Sequence, residues 1–192
     1  SSALCQSSNV SMDATGRVKF NNQLQNIGAE ETSGIDLNLA YSFEAAGLNW
    51  KASLDTTYLD EYVVTVLDET VDYAGLITSG SGGYADIKSN LTLNVSGDRW
   101  DAQYQARYIA GMDSYSCQAD PSSCLAPTTP SVVYHDISGS YLLSDRVTLS
   151  AGVNNLFDKE PPYYSGNNDS NTDPYTYDVL GRRFHAGINV KF

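Results

Sequence analysis

Residues 181–192 read GRRFHAGINVKF. From Phe184 the apolar residues fall on every second position: Phe184, Ala186, Ile188, Val190 and Phe192. Arg183, His185, Gly187, Asn189 and Lys191 stand between them. A strand sends successive side chains to opposite faces, so this segment has one oily face and one wet face. The fold turns on what the oily face touches.

The same period of two recurs along the chain. Val147, Leu149, Ala151 and Val153 alternate with Thr148, Ser150, Gly152 and Asn154. Ile137, Gly139, Tyr141 and Leu143 alternate with Asp136, Ser138 and Ser140. Trp100, Ala102, Tyr104, Ala106, Tyr108 and Ala110 oppose Asp101, Gln103, Gln105 and Arg107. Ile87, Leu91, Leu93 and Val95 face away from Lys88, Asn90, Thr92 and Asn94. Leu48, Trp50, Ala52, Leu54 and Tyr58 face away from Asn49, Lys51, Ser53 and Asp55. Ile35, Leu37, Leu39, Tyr41 and Phe43 oppose Asp36, Asn38 and Ser42. The pattern predicts seven strands of about ten residues, longer than the usual five or six.

Short turns are expected near residues 44–47, 96–98 and 144–145, and long polar loops near 59–83, 112–131 and 158–178. One sheet end thus carries tight turns and the other long loops. A soluble β-sandwich also alternates apolar and polar residues along one face. Strand length, the turn and loop asymmetry, and Trp and Tyr near strand ends favour an all-β, antiparallel transmembrane β-barrel instead. The oily face then meets outer-membrane lipid. The wet face, with Asp36, Lys51, Asp55, Lys88, Asp101, Gln103, Arg107, Arg183 and His185, lines a lumen.

Composition narrows the function. The 192 residues carry a net charge of −12, which argues against nucleic acid, because phosphate binding needs clustered Lys and Arg. No apolar run reaches the roughly 18 residues of a membrane helix. GxxxxGK[ST], GxGxxG and CxxC are missing from the sequence. The acidic charge is concentrated in the long loops: Asp60, Glu61, Asp68, Glu69 and Asp72 in the first; Asp113 and Asp120 in the second; Asp158, Glu160, Asp169, Asp173 and Asp178 in the third. One reading is a solvated, self-repelling rim. The other is a ligand vestibule built from Tyr62, Asp68, Glu69, Tyr73, Tyr163, Tyr164, Tyr175 and Tyr177, where rings stack on sugars or flat chelates and carboxylates disfavour anions.

Two stretches carry a family resemblance. QNIGAEETSGIDLNLAYSF (25–43) resembles a strand that recurs in the barrel of TonB-dependent outer-membrane receptors. GVNNLFDKEPP (152–162), followed by YDVLGRRFHAGINVKF (177–192), resembles the C-terminal signature of the same family. The resemblance implies a 22-stranded, plugged barrel of which these are the C-terminal seven strands. Residues 1–22 are then an extracellular loop remnant and 23–192 the C-terminal barrel segment, with the plug domain and earlier strands absent. It further implies import of a scarce nutrient, such as a ferric siderophore or an oligosaccharide. The implied partners are the remainder of the barrel and plug, the TonB–ExbB–ExbD energy complex acting through that plug, and a small-molecule or glycan ligand. No cofactor is implied. A passive porin-type channel and a surface adhesion or assembly component are the alternatives. Unpaired strand edges are expected to bond to strands outside these residues, because bare backbone in lipid costs several kcal/mol per group.

Catalysis is not expected. His135 and Asp136 are strand neighbours and point to opposite faces, and no nucleophile, base and orienter converge. Asp169, Asn171 and Asp173 offer oxygens at every second position, but the run lacks the glycine and distal glutamate of a calcium loop, and no metal site is expected. Cys117 and Cys124 share one outer loop and are expected to form a disulfide in an oxidising compartment. Cys5 is the odd cysteine, and its expected partner lies outside these residues.

Overall fold

The computed structural model describes residues 10–12, 14–20, 28–67, 69–166 and 171–192. A small hairpin, β1 (Val10–Met12) and β2 (Val18–Phe20), precedes two long strands, β3 (Gly28–Ala45) and β4 (Leu48–Val66). β5 (Glu69–Asp72), β6 (Leu76–Thr78) and β7 (Gly82–Gly83) lie between β4 and β8 (Ile87–Ser96). After β9 (Trp100–Ile109) come β10 (Met112–Ser114), α1 (Tyr115–Ala119) and β11 (Thr128–Thr129). β12 (Val132–Ser144), β13 (Val147–Asn154) and β14 (Arg183–Val190) complete the chain.

Seven long strands form one antiparallel sheet in the order β14-β13-β12-β9-β8-β4-β3, with β5 added against β4. These are the seven strands expected from the alternation. The sheet does not close: among the described residues, β3 and β14 each have one partner, β4 and β13. The register aligns the alternation of every strand. One row runs Tyr41, Ala52, Leu93, Tyr104, Ile137, Val153 and Phe184 across all seven strands. A second runs Phe43, Trp50, Val95, Ala102, Gly139, Ala151 and Ala186. A one-residue slip anywhere would turn that strand's apolar set to the other face.

Among the described residues no second sheet covers this face, and Leu39, Tyr41, Leu143, Phe184 and Ile188 stand exposed on it. An apolar face spanning seven strands is far beyond a soluble monomer's exposed patch, and its natural solvent is lipid. Polar atoms on it pair with one another. The Thr56 and Ser89 hydroxyls lie 2.9 Å apart, and the Tyr104 hydroxyl lies 2.6 Å from His135 Nδ1.

The two ends of the sheet differ. At one end tight turns join β3–β4, β8–β9 and β12–β13, the first passing through Ala46 and Gly47 at φ 53° and 73°. Positive φ at both central residues suits the twist of a two-residue hairpin. At the other end the connections fold into a cap holding a four-stranded sheet, β11-β10-β6-β7. The first of them begins at residue 67 rather than 59, because Leu59–Val66 continues β4 against the outer half of β3. Buried Ile77, Ala85, Met112, Val132, Tyr134, Tyr164 and Tyr177 form the cap core. Val132 and Tyr134 reach it from the wet face of β12, so the loops fold inward over that face. The long loops are therefore a packed layer. Cys5 and the run 167–170 with Asp169 lie outside the described residues.

Candidate functional site

A bulge builds the site. β3 and β4 pair without a break from Ala45–Leu48 up to Gly34–Leu59, and then resume at Ser33–Glu61, which leaves Asp60 without an opposite residue. A bulge bends its strand and re-aims the side chains beyond it. Simple alternation from Tyr58 would put Tyr62 and Val64 on the oily face. After the bulge they pair with Thr32 and Glu30 and share the wet face. Gly34 permits the close approach: a Cβ there would lie 2.3 Å from the Tyr58 carbonyl oxygen.

Tyr62 then begins a continuous wall of rings. Its centroid lies 4.8 Å from Tyr84 and 6.3 Å from Tyr73; Tyr73 lies 5.7 Å from Tyr84 and 5.6 Å from Tyr115. Asp72 holds the turn behind them, accepting hydrogen bonds from the Tyr62 and Ala74 amides at 3.0 Å. The fourth ring rides on α1. Ser114 caps that helix by accepting from the Cys117 amide, and a Cys117–Cys124 disulfide closes the loop with Cα atoms 4.8 Å apart. Together with Glu30, Asp120, Thr78, Ser79, Ser81 and Ser116, the rings line a cleft of about 690 Å³. That is the size of a small-molecule site. Burial pushes the phenols of Tyr73 and Tyr84 up, and Tyr62 and Glu30 push Tyr84 further. Tyr73 and Tyr84 therefore face a ligand as neutral hydroxyl donors.

Of the tyrosines expected in a vestibule, Tyr62 and Tyr73 are in this cleft. Tyr163 and Tyr175 are exposed on the cap, at 52% and 73% of their surface. Tyr164 and Tyr177 are inside it: the Tyr164 hydroxyl donates to the Ile77 carbonyl at 3.2 Å, and the Tyr177 hydroxyl to Thr129 Oγ1 at 3.0 Å. They hold the cap together. Glu69 is exposed on β5, and Asp68 lies outside the described residues. Sequence reading misses Tyr84, Tyr115 and Glu30, because alternation alone cannot announce a bulge or the fold of a loop. Asp120 reads from sequence only as loop charge. The available signal was Ile109 and Val132, apolar residues at wet-face positions.

The register gathers the polar positions of the alternation on one face. Asp36, Lys51, Asp55, Lys88, Asp101, Gln103, Arg107, Arg183 and His185 all fall on it by register. Asn38 donates to Asp55 at 2.7 Å, Thr57 to Asp36 at 2.6 Å, and Ser140 to Asp101. Among the described residues the His185 ring forms no ion pair with a carboxylate. It covers Gly152, where a Cβ would lie 2.5 Å from the ring. His135 and Asp136 point apart: His135 meets Tyr104, while Asp136 accepts from Arg107 Nε at 2.8 Å.

An ion network fastens the cap to this wall. Arg107 pairs with Asp136 at 2.8 Å and lies 3.9 Å from Asp178; Arg183 pairs with Asp178 at 2.8 Å. The Asn155 amide donates to Asp136 at 2.7 Å, and its side chain closes a ring with the Lys159 backbone. Asn155 takes φ 51°, a left-handed conformation that asparagine tolerates. Gly181-Arg182 returns to this turn, the Arg182 amide donating to Asp158 at 2.8 Å. Burial alone would raise the Asp178 carboxyl. Hydrogen bonds from Arg183 and the Leu180 amide, with the charges of both arginines, outweigh it and hold Asp178 below the usual carboxylate range. Among the described residues no group of three His, Cys, Asp or Glu is placed to hold a metal.

Comparison with known proteins gives a family. The one described as "TonB dependent receptor-like, beta-barrel" matches residues 5–156. No curated protein matches by sequence. Among solved structures, the ferric-catecholate import receptor Fiu from K12 E. coli, in its closed form, aligns with a TM-score of 0.49 and 17% identity. The alignment covers 95% of this chain and 23% of that one, so the chain spans under a quarter of that receptor's length.

Proposed function

The chain belongs to the TonB-dependent receptor-like β-barrel family, and from that premise we propose that it is part of an outer-membrane receptor that imports a scarce nutrient. The described residues from 28 onward supply barrel wall and outer cap, and much of the expected outer-loop segment 1–22 lies outside the described residues. The observation that carries this reading is the sheet itself: one face apolar across seven strands, the other polar, and a folded cap at one end only. The apolar face meets lipid. The polar face lines the passage, and the tyrosine cleft at its mouth takes the ligand.

The free edges of β3 and β14 extend the reading. In lipid each unpaired backbone group costs several kcal/mol, so both edges bond to further strands of the same barrel. A plug fills such a wide lumen, and the TonB–ExbB–ExbD complex acts on that plug to drive release inward. The reaction is transport, and none of its steps needs a nucleophile or base from this chain. A ferric siderophore and an oligosaccharide are the ligand classes in view.

Uptake by Gram-negative cells expressing the full receptor tests this. A labelled nutrient should accumulate only in energised cells, and a protonophore should abolish accumulation while leaving surface binding intact. Uptake indifferent to the protonophore would mean a passive pore.

A further inference from the structure

The cleft has a charge character as well as a shape. Its charged lining residues are Glu30 and Asp120, both acidic. The two loop segments that complete it, 69–86 and 110–131, contain no Lys, Arg or His. Lys88, the next cation along the chain, turns its ammonium to the Gly83 carbonyl at 3.3 Å. Asp72, Asp86 and Asp113 line a neighbouring cavity of about 410 Å³, so the surrounding field is negative as well. An anion brought here would meet repulsion, and none of the described residues that line the cleft is a cation to offset it. Four adjoining phenol rings offer the opposite: negative π-faces that attract a cation, most strongly where water is partly excluded.

We propose that the tyrosine cleft recognises a ligand bearing an ammonium group on or beside a flat ring, the ring lying on the Tyr62, Tyr73, Tyr84 and Tyr115 wall and the charge held by Glu30 and Asp120. The proposal rests on the receptor reading above and names the chemistry of its ligand. The two parts of the site have separate roles. The rings supply contact area and cation–π attraction. The carboxylates set the sign of the charge admitted, and they make binding sensitive to salt. A neutral sugar would use the rings alone, and an anionic chelate would be excluded.

Three probes of like size separate these cases: phenyltrimethylammonium, benzyl alcohol and benzenesulfonate, titrated onto the full receptor in detergent. The cation should bind about tenfold more tightly than the alcohol, with the sulfonate weakest. Glu30→Gln should cut affinity for the cation about tenfold and leave the alcohol unchanged, while Tyr73→Ala weakens both. Heat-modifiability on gels verifies that each variant is folded. Equal affinity for cation and sulfonate, or a Glu30→Gln variant with unaltered cation binding, would overturn the proposal. Protonophore-sensitive uptake of a nutrient by a receptor without charge preference would strike this proposal alone. Charge preference in a receptor whose uptake ignores the protonophore would strike the import reading alone.

Discussion

The wall and the cap are made from the same chain by different rules. In the wall, β8 and β9 are ten residues each, paired residue for residue, and every side chain's destination follows from its parity. In the cap, strands of two to four residues are held by buried tyrosines, a disulfide and an ion network. A wall residue is placed by its solvent, lipid or water. A cap residue is placed by a particular partner. Damage to the wall should therefore depend on which face is changed, and damage to the cap on which contact is lost.

The largest contrast belongs to the wall. Leu91→Arg and Leu149→Arg put a charge on the oily face near mid-strand and should each cost about 2–4 kcal/mol. Asn90→Arg and Ser150→Arg, one position away on the other face, should be much milder. Heat-modifiability of the folded receptor on gels reads the difference. Equal loss on both faces would erase the distinction between wall and cap.

Gly34→Ala tests the junction. Its new methyl would press on the Tyr58 carbonyl, and overpacking of this kind costs about 1–3 kcal/mol. With the bulge gone, Tyr62 loses its aim into the cleft. Binding of phenyltrimethylammonium should fall while the lower wall still forms. Unchanged binding would mean that the bulge does not position the ring.

The disulfide is a cap feature. Cys117→Ser with Cys124→Ser should cost about 2 kcal/mol, as expected for so short a loop, and confine its effect to residues 110–131. Hydrogen exchange should rise around Tyr115 and stay level in β8 and β9. Faster exchange in those strands would show that wall and cap are not independent.

The smallest effect is a pH dependence at Asp178. Its folded carboxyl lies below the ordinary carboxylate range, so its contribution is complete above the unfolded value, about pH 4. It is lost as the pH falls through that value toward the folded one. Proteolysis within the cap should accelerate over that acid range in the parent and be flat in Asp178→Asn. The same acid step in the variant would assign it to another group.

The comparison also explains what the sequence discloses. The wall was legible because a period of two is a local signal repeated seven times, and each strand's register is fixed by the face it shares. The disulfide was legible from its loop and compartment. The cleft was half legible: Tyr62 and Tyr73 stand out as aromatics in an acidic loop, but Tyr62 reaches the cleft only through Asp60's extra position. Tyr164 looks like Tyr163 in sequence. Burial under Ile77 distinguishes them, and that contact joins residues far apart in the chain. Long-range packing of this kind leaves no periodicity to read.

The central claim is that one face of the seven-strand sheet meets lipid and the other water. Nitroxide labels placed singly along β8, from Ser89 to Val95 in the full receptor in lipid vesicles, report it directly. Accessibility to oxygen should peak at Leu91 and Leu93, and accessibility to a water-soluble nickel chelate at Asn90, Thr92 and Asn94. Both reagents reaching all positions alike, or oxygen favouring Asn90 and Thr92, would contradict the account.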